Sequence, residues 1–153
     1  MATRGRQLEA VRVVAQGHAY RSDQPEEARR QWAKLSLLAN RRMQSDSGGG
    51  EPRGIHQDFM LRMWVIDQLG PDRADPEWNP ETLASETLAA LDLPPSQARA
   101  LADGWRDLAI EQIRELRRHK NLTAHLDWLV TYMEPSPARD QLLVWVRLRR
   151  LLP

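Results

Sequence analysis

The chain has 153 residues, 41% of them hydrophobic and 28% charged, a globular mixture rather than a disordered one and close to the commonest single-domain size. It holds no cysteine, which excludes disulfides, thiolate metal sites and a cysteine nucleophile, and suits a reducing compartment. The basic N-terminus leads into no apolar signal core, and the strongest apolar runs, 59–66 and 142–146, are too short to cross a bilayer; a cytoplasmic location without membrane contact is expected.

Helical periodicity dominates throughout, and no segment alternates as a strand would. Leu8, Val11, Ala15 and His18 share one face of a first helix. Asp23 reads as the cap of a second, with Pro25 in its first turn and Trp32, Leu35, Ala39 and Met43 along one side. Residues 45–54 (SDSGGGEPRG) read as a flexible loop inside one domain. A third helix over 55–69 is apolar almost all round, which places it centrally, with Asp58 and Arg62 expected to find partners within that surface. Gly70-Pro71 stops it.

An acidic loop carrying an isolated Trp78 follows, then Asn79-Pro80-Glu81 as cap, first residue and dipole-complementing acid of a short helix over 81–91. The periodicity next predicts one long amphipathic helix over 96–120, with Trp105 on its apolar stripe. Two more are predicted, over 122–133 and 138–152, the last opened by Ser136-Pro137. The sum is an all-α chain, a single irregular bundle of about seven helices.

Charge is unevenly spread. Residues 1–42 hold nine basic and four acidic side chains, residues 67–92 one basic and seven acidic, and residues 114–153 eight basic and four acidic. Two readings stay open: a basic face for an acidic partner, or an acidic middle folded against basic ends. Only Lys34 and Lys120 are lysines among 22 basic residues, as coding from a GC-rich bacterial genome would favour.

Common catalytic signatures are absent. Ser47-Gly48-Gly49-Gly50 lacks the Gly-Lys-Ser/Thr of a phosphate loop, and no G-x-S-x-G, H-E-x-x-H or G-x-G-x-x-G occurs, so neither catalytic residues nor a cofactor or metal is expected. His18, His56, His119 and His125 are read as packing or surface residues. Two looser patterns remain. Arg114-x4-His119 and Arg118-x6-His125 resemble the Arg–His spacing of HEPN-type helical ribonucleases. In the second pair the side chains converge only if a helix runs unbroken through Asn121, and the change of periodicity at Leu122 argues for a break there. Residues 86–101 resemble a helix-turn-helix motif, though Asp92 stands where that motif favours glycine and only Gln97 and Arg99 are available as readers.

The remaining signals are surface ones. Six tryptophans against one phenylalanine point to interface anchors, and Trp128, flanked by His125 and Tyr132, lies off the core stripe of its helix. His125, Trp128, Tyr132 and Trp145 are therefore the candidate protein interface. Arg117, Arg118, Lys120, Arg139, Arg147 and Arg150 are the candidate nucleic-acid or anion-binding residues. The expectation is a non-enzymatic helical interaction protein, a subunit or adaptor of a larger assembly that engages a protein partner or a second copy of itself. Contact with nucleic acid through the Arg-rich C-terminal helices is its elaboration, with a helix-turn-helix DNA binder and a HEPN-like ribonuclease as alternatives.

Overall fold

The computed structural model, which describes residues 2–48 and 52–151, is all-α, with no strand among the described residues. Its helices are α1 (Ala2–Ala19), α2 (Glu26–Asp46), α3 (Pro52–Leu69), α4 (Pro80–Ala90), α5 (Pro95–Asp103), α6 (Ile110–Leu129) and α7 (Pro137–Arg149). They gather into two compact units, Met1–Trp78 and Asn79–Pro153, each described by itself. No helix among the described residues is long and apolar enough to cross a membrane. Of the expected 45–54 loop, 45–46 close α2 and 52–54 open α3, while 49–51 lie outside the described residues, as does Leu152.

In the first unit α1 and α3 both pack on α2. Its core joins Ala19, Ala33, Leu37, Leu61, Val65, Leu69 and Trp78, with Trp32 and Trp64 packed against it. Trp78, isolated in sequence, is almost completely buried. The loop carrying it is tied by the Asp72 amide on the Trp78 carbonyl and the Trp78 amide on the Asp75 carbonyl, both at 3.0 Å.

The acidity of that loop has a structural use. Asp72 and Asp75 lie 3.3 and 3.2 Å from Lys34, and Glu77 lies 2.7 Å from Arg41. Asp58 accepts from Asn40 and Arg41, and the buried Arg62 donates to the Glu77 carbonyl at 3.0 Å, so both expected partners come from neighbouring segments. Gly70 ends α3 at φ +78°, where a side chain would strain the backbone. Asp23 departs from expectation: it pairs with Arg21 at 2.7 Å, and α2 begins after Pro25 without a side-chain cap.

In the second unit Asn79 caps α4 by accepting from the Glu81 amide at 2.8 Å, and Ser136 caps α7 by accepting from the Arg139 amide at 3.2 Å. The helix expected over 96–120 is two helices. Gly104 closes α5, Trp105–Asp107 forms a 3-10 turn, and the Gln112 side chain accepts from the Ala109 amide to start α6. Trp105 falls in that turn and is 47% exposed, so it does not anchor the core. The helix end expected before Leu122 does not occur, because α6 continues to Leu129.

The continuity has a packing cause. Leu116, His119, Leu122, Thr123, Leu126 and Leu129 are all buried at three- and four-residue spacing, so one stripe crosses Asn121 without a gap. The buried Thr123 hydroxyl donates to the His119 carbonyl at 2.8 Å, which satisfies it within the helix.

Replacing Trp78 with Ala removes the largest fully buried side chain of the first unit. A loss of about 3–5 kcal/mol in urea-unfolding stability is expected. A change below about 0.5 kcal/mol would place Trp78 outside the core.

Candidate functional site

An unbroken α6 changes which side chains share a face. At 100° per residue, Arg117, Asn121 and Trp128 all fall within about 60° of Arg114, over about 21 Å of helix. Arg114, Arg117 and Asn121 are exposed and Trp128 is half-buried. Beyond Trp128 comes Tyr132, in a 3-10 turn, with ring centroids 4.9 Å apart and planes inclined at 52°. One face therefore runs from guanidinium groups to an aromatic pair, while Glu111 and Glu115 lie about 60–100° round the helix.

The predicted residues divide into two groups. Arg118 and Arg139 are tied to neighbouring backbone, and Arg149, which the sequence did not single out, to a carboxylate. Arg118 donates to the Ala90 carbonyl at 2.7 Å, Arg139 to the Val130 carbonyl at 3.2 Å, and Arg149 to Asp127 at 2.6 Å. Arg117, Arg147 and Arg150 are exposed, and no carboxylate among the described residues pairs with them. Lys120 is also exposed.

Of the predicted interface, Trp128 and Tyr132 reach the surface, but His125 and Trp145 are buried. The Trp145 ring lies 5.5 Å from that of His119, inside the unit. These two belong to the packing of α6 and α7, not to an accessible patch.

A second cluster was not expected from the sequence. Asp92, just beyond α4, and Glu115 and His119 on α6 bring one carboxylate oxygen or ring nitrogen each within 4.8 Å of one another. His119 has no exposed surface, and neither ring nitrogen has a hydrogen-bond partner, although Nε2 is 3.5 Å from Glu115 Oε1. Arg118 flanks the carboxylates at 3.6 Å from Asp92 and 3.7 Å from Glu115.

Burial pushes the Glu115 carboxyl above its ordinary range, with Asp92 adding to the rise and Arg118 opposing it. Burial holds His119 below its ordinary value; Arg118 adds to that and Asp92 opposes it. The readable signal was Glu115 and His119 at i,i+4, which the acid–histidine spacing shows even though no two histidines share a face. Glu115 also lines an open groove of about 570 Å³ with Leu93, Gln97, Leu101 and Gln112.

The two looser sequence patterns take definite positions. Arg118 and His125 do lie on one face of a continuous helix, but His125 is buried and the Arg118 guanidinium is turned to Ala90, Asp92 and Glu115. The 86–101 segment forms two helices around a turn, with Leu91 and Ala98 buried and Gln97 and Arg99 exposed. Compared with known proteins, the chain matches no family model, no curated protein and no solved structure.

The division of arginines predicts different stability effects. Arg118→Ala and Arg139→Ala each lose a charged donor to a backbone carbonyl, a cost of about 1 kcal/mol at these part-exposed sites. Arg147→Ala and Arg150→Ala are expected within about 0.5 kcal/mol of the parent in urea unfolding. Equal losses in all four would contradict the division.

Proposed function

We propose that this chain is a non-catalytic helical subunit that binds single-stranded nucleic acid through the exposed side of α6 and α7. The observation that supports this reading most is the set of exposed arginines without carboxylate partners, Arg117, Arg147 and Arg150, together with the α6 face that runs from Arg117 into Trp128 and Tyr132.

Charge and shape favour that ligand. Several exposed guanidinium groups on α6 and α7 suit a backbone of repeated phosphates better than a single small anion. The half-exposed Trp128–Tyr132 pair offers a ring face on which an unpaired base stacks, a contact no duplex presents along its length. A protein partner with an acidic surface is the second reading, supported by the same arginines together with the exposed Val144 and Leu151.

The two readings part in a binding titration with a labelled twenty-nucleotide oligo(dT) or oligo(U), followed by anisotropy. Binding is expected at 50 mM salt and should weaken steeply by 200 mM, with a logarithmic slope near −0.7 per phosphate neutralised. The triple variant R117A/R147A/R150A should reduce that slope by about 2. Trp128→Ala should cost about 1–3 kcal/mol with the slope unchanged. No binding at low salt, or a triple variant with the parent's slope, would overturn the reading in favour of a protein partner.

A further inference from the structure

We infer that Asp92, Glu115 and His119 form a binding site for a divalent transition-metal ion of the zinc type. The inference stands on the geometry of the second unit and does not rest on the nucleic-acid reading.

Three acceptors converge with too few donors between them. Two carboxylates and an imidazole present an oxygen, an oxygen and a nitrogen within 4.8 Å of one another. The imidazole has no exposed surface and both of its nitrogens lack hydrogen bonds. A buried polar group left in this state costs about 1–3 kcal/mol unless something else satisfies it. Nε2 lies 3.5 Å from a carboxylate oxygen without a hydrogen bond to it, and a cation held between them would engage both.

Arg118 supplies part of the positive charge. Its guanidinium stands 3.6 and 3.7 Å from the two carboxylates and spends a short bond, 2.7 Å, on the Ala90 carbonyl.

The donor set selects the metal. One imidazole and two carboxylates suit zinc and its first-row neighbours, and zinc stands high in the order of divalent affinities for nitrogen and oxygen ligands. Tetrahedral zinc sets its ligand atoms about 3.4 Å apart. Glu115 and His119 already stand 3.5 Å apart, so it is Asp92 that must draw in. Asp92 can supply that movement: its side chain is 74% exposed and lies in the turn between α4 and α5. Glu115 and His119, one turn apart on α6, already share a face. Three protein ligands leave a fourth position for water, next to the groove that Glu115 lines.

The test is titration of the full, chelator-treated chain with zinc chloride, read by calorimetry. One ion per chain is expected, with a rise in melting temperature as zinc is added. His119→Gln removes the buried ligand, but its effect on folding is confounded with its effect on binding. Asp92→Ala acts at an exposed turn and keeps the fold, so it carries the decision. Its affinity should fall roughly 10- to 100-fold, at least what loss of a ligand's supporting partner costs. Parent chain without zinc binding, or Asp92→Ala binding zinc as tightly as the parent, would overturn the site.

Discussion

Twenty residues from Ile110 to Leu129 form one helix because a single buried stripe runs the length of it. The rest of the second unit depends on that stripe: α4, α5 and α7 all pack on α6. Once Leu116, His119, Leu122, Leu126 and Leu129 face inward, the positions of the outward residues follow from helix geometry alone. Arg114, Arg117, Asn121 and Trp128 then share a face, and Glu115 and His119 meet Asp92. A helix end at Asn121 would dissolve the first arrangement, because the cationic and aromatic halves would no longer keep a fixed angle to each other.

The charge asymmetry resolves differently in the two halves of the chain. Lys34 and Arg41 on α2 are met by Asp72, Asp75 and Glu77, so the acidic middle neutralises part of the basic N-terminal excess within the first unit. Such pairs at partly exposed positions add little stability. Their larger effect is on the surface field, since they remove cations from it. In the second unit the pairing of Arg118 with Asp92 and Glu115 and of Arg149 with Asp127 does the same for part of the basic excess. What remains outward, at Arg117, Arg147 and Arg150, is the source of the proposed affinity for a polyanion.

Much of the fold was legible in the sequence. The caps at Asn79 and Ser136 and the stop at Gly70 each rest on local chemistry that tertiary packing did not override. The apolar surface of 55–69, by contrast, does not put α3 at the centre: α2 lies between α1 and α3, and Ile55 and Met60 are exposed. The failures in the second unit's helices share a physical origin, polar residues placed inside and an apolar one placed outside. His119 and Thr123 interrupt the apolar pattern yet are buried, so a continuous stripe reads as two. Trp105 continues an apolar pattern yet is exposed, because Gly104 ends the helix before it. The same rule explains the site. Trp128 and Tyr132 were readable as off-stripe aromatics, whereas His125 and Trp145, which a surface reading would expose, are buried in the unit. The Asp92 contribution was not readable, since it depends on how α4 ends against α6 rather than on spacing within one helix.

The continuity of α6 is therefore the claim on which most rests, and amide hydrogen exchange tests it residue by residue. The amides of Leu122, Thr123, Ala124 and His125 lie mid-helix, each with a carbonyl partner four residues earlier. They should exchange as slowly as that of Leu116, opening only with the unit as a whole. Fast exchange confined to Asn121–Ala124 would place a helix end there and contradict the face shared by the arginines and Trp128.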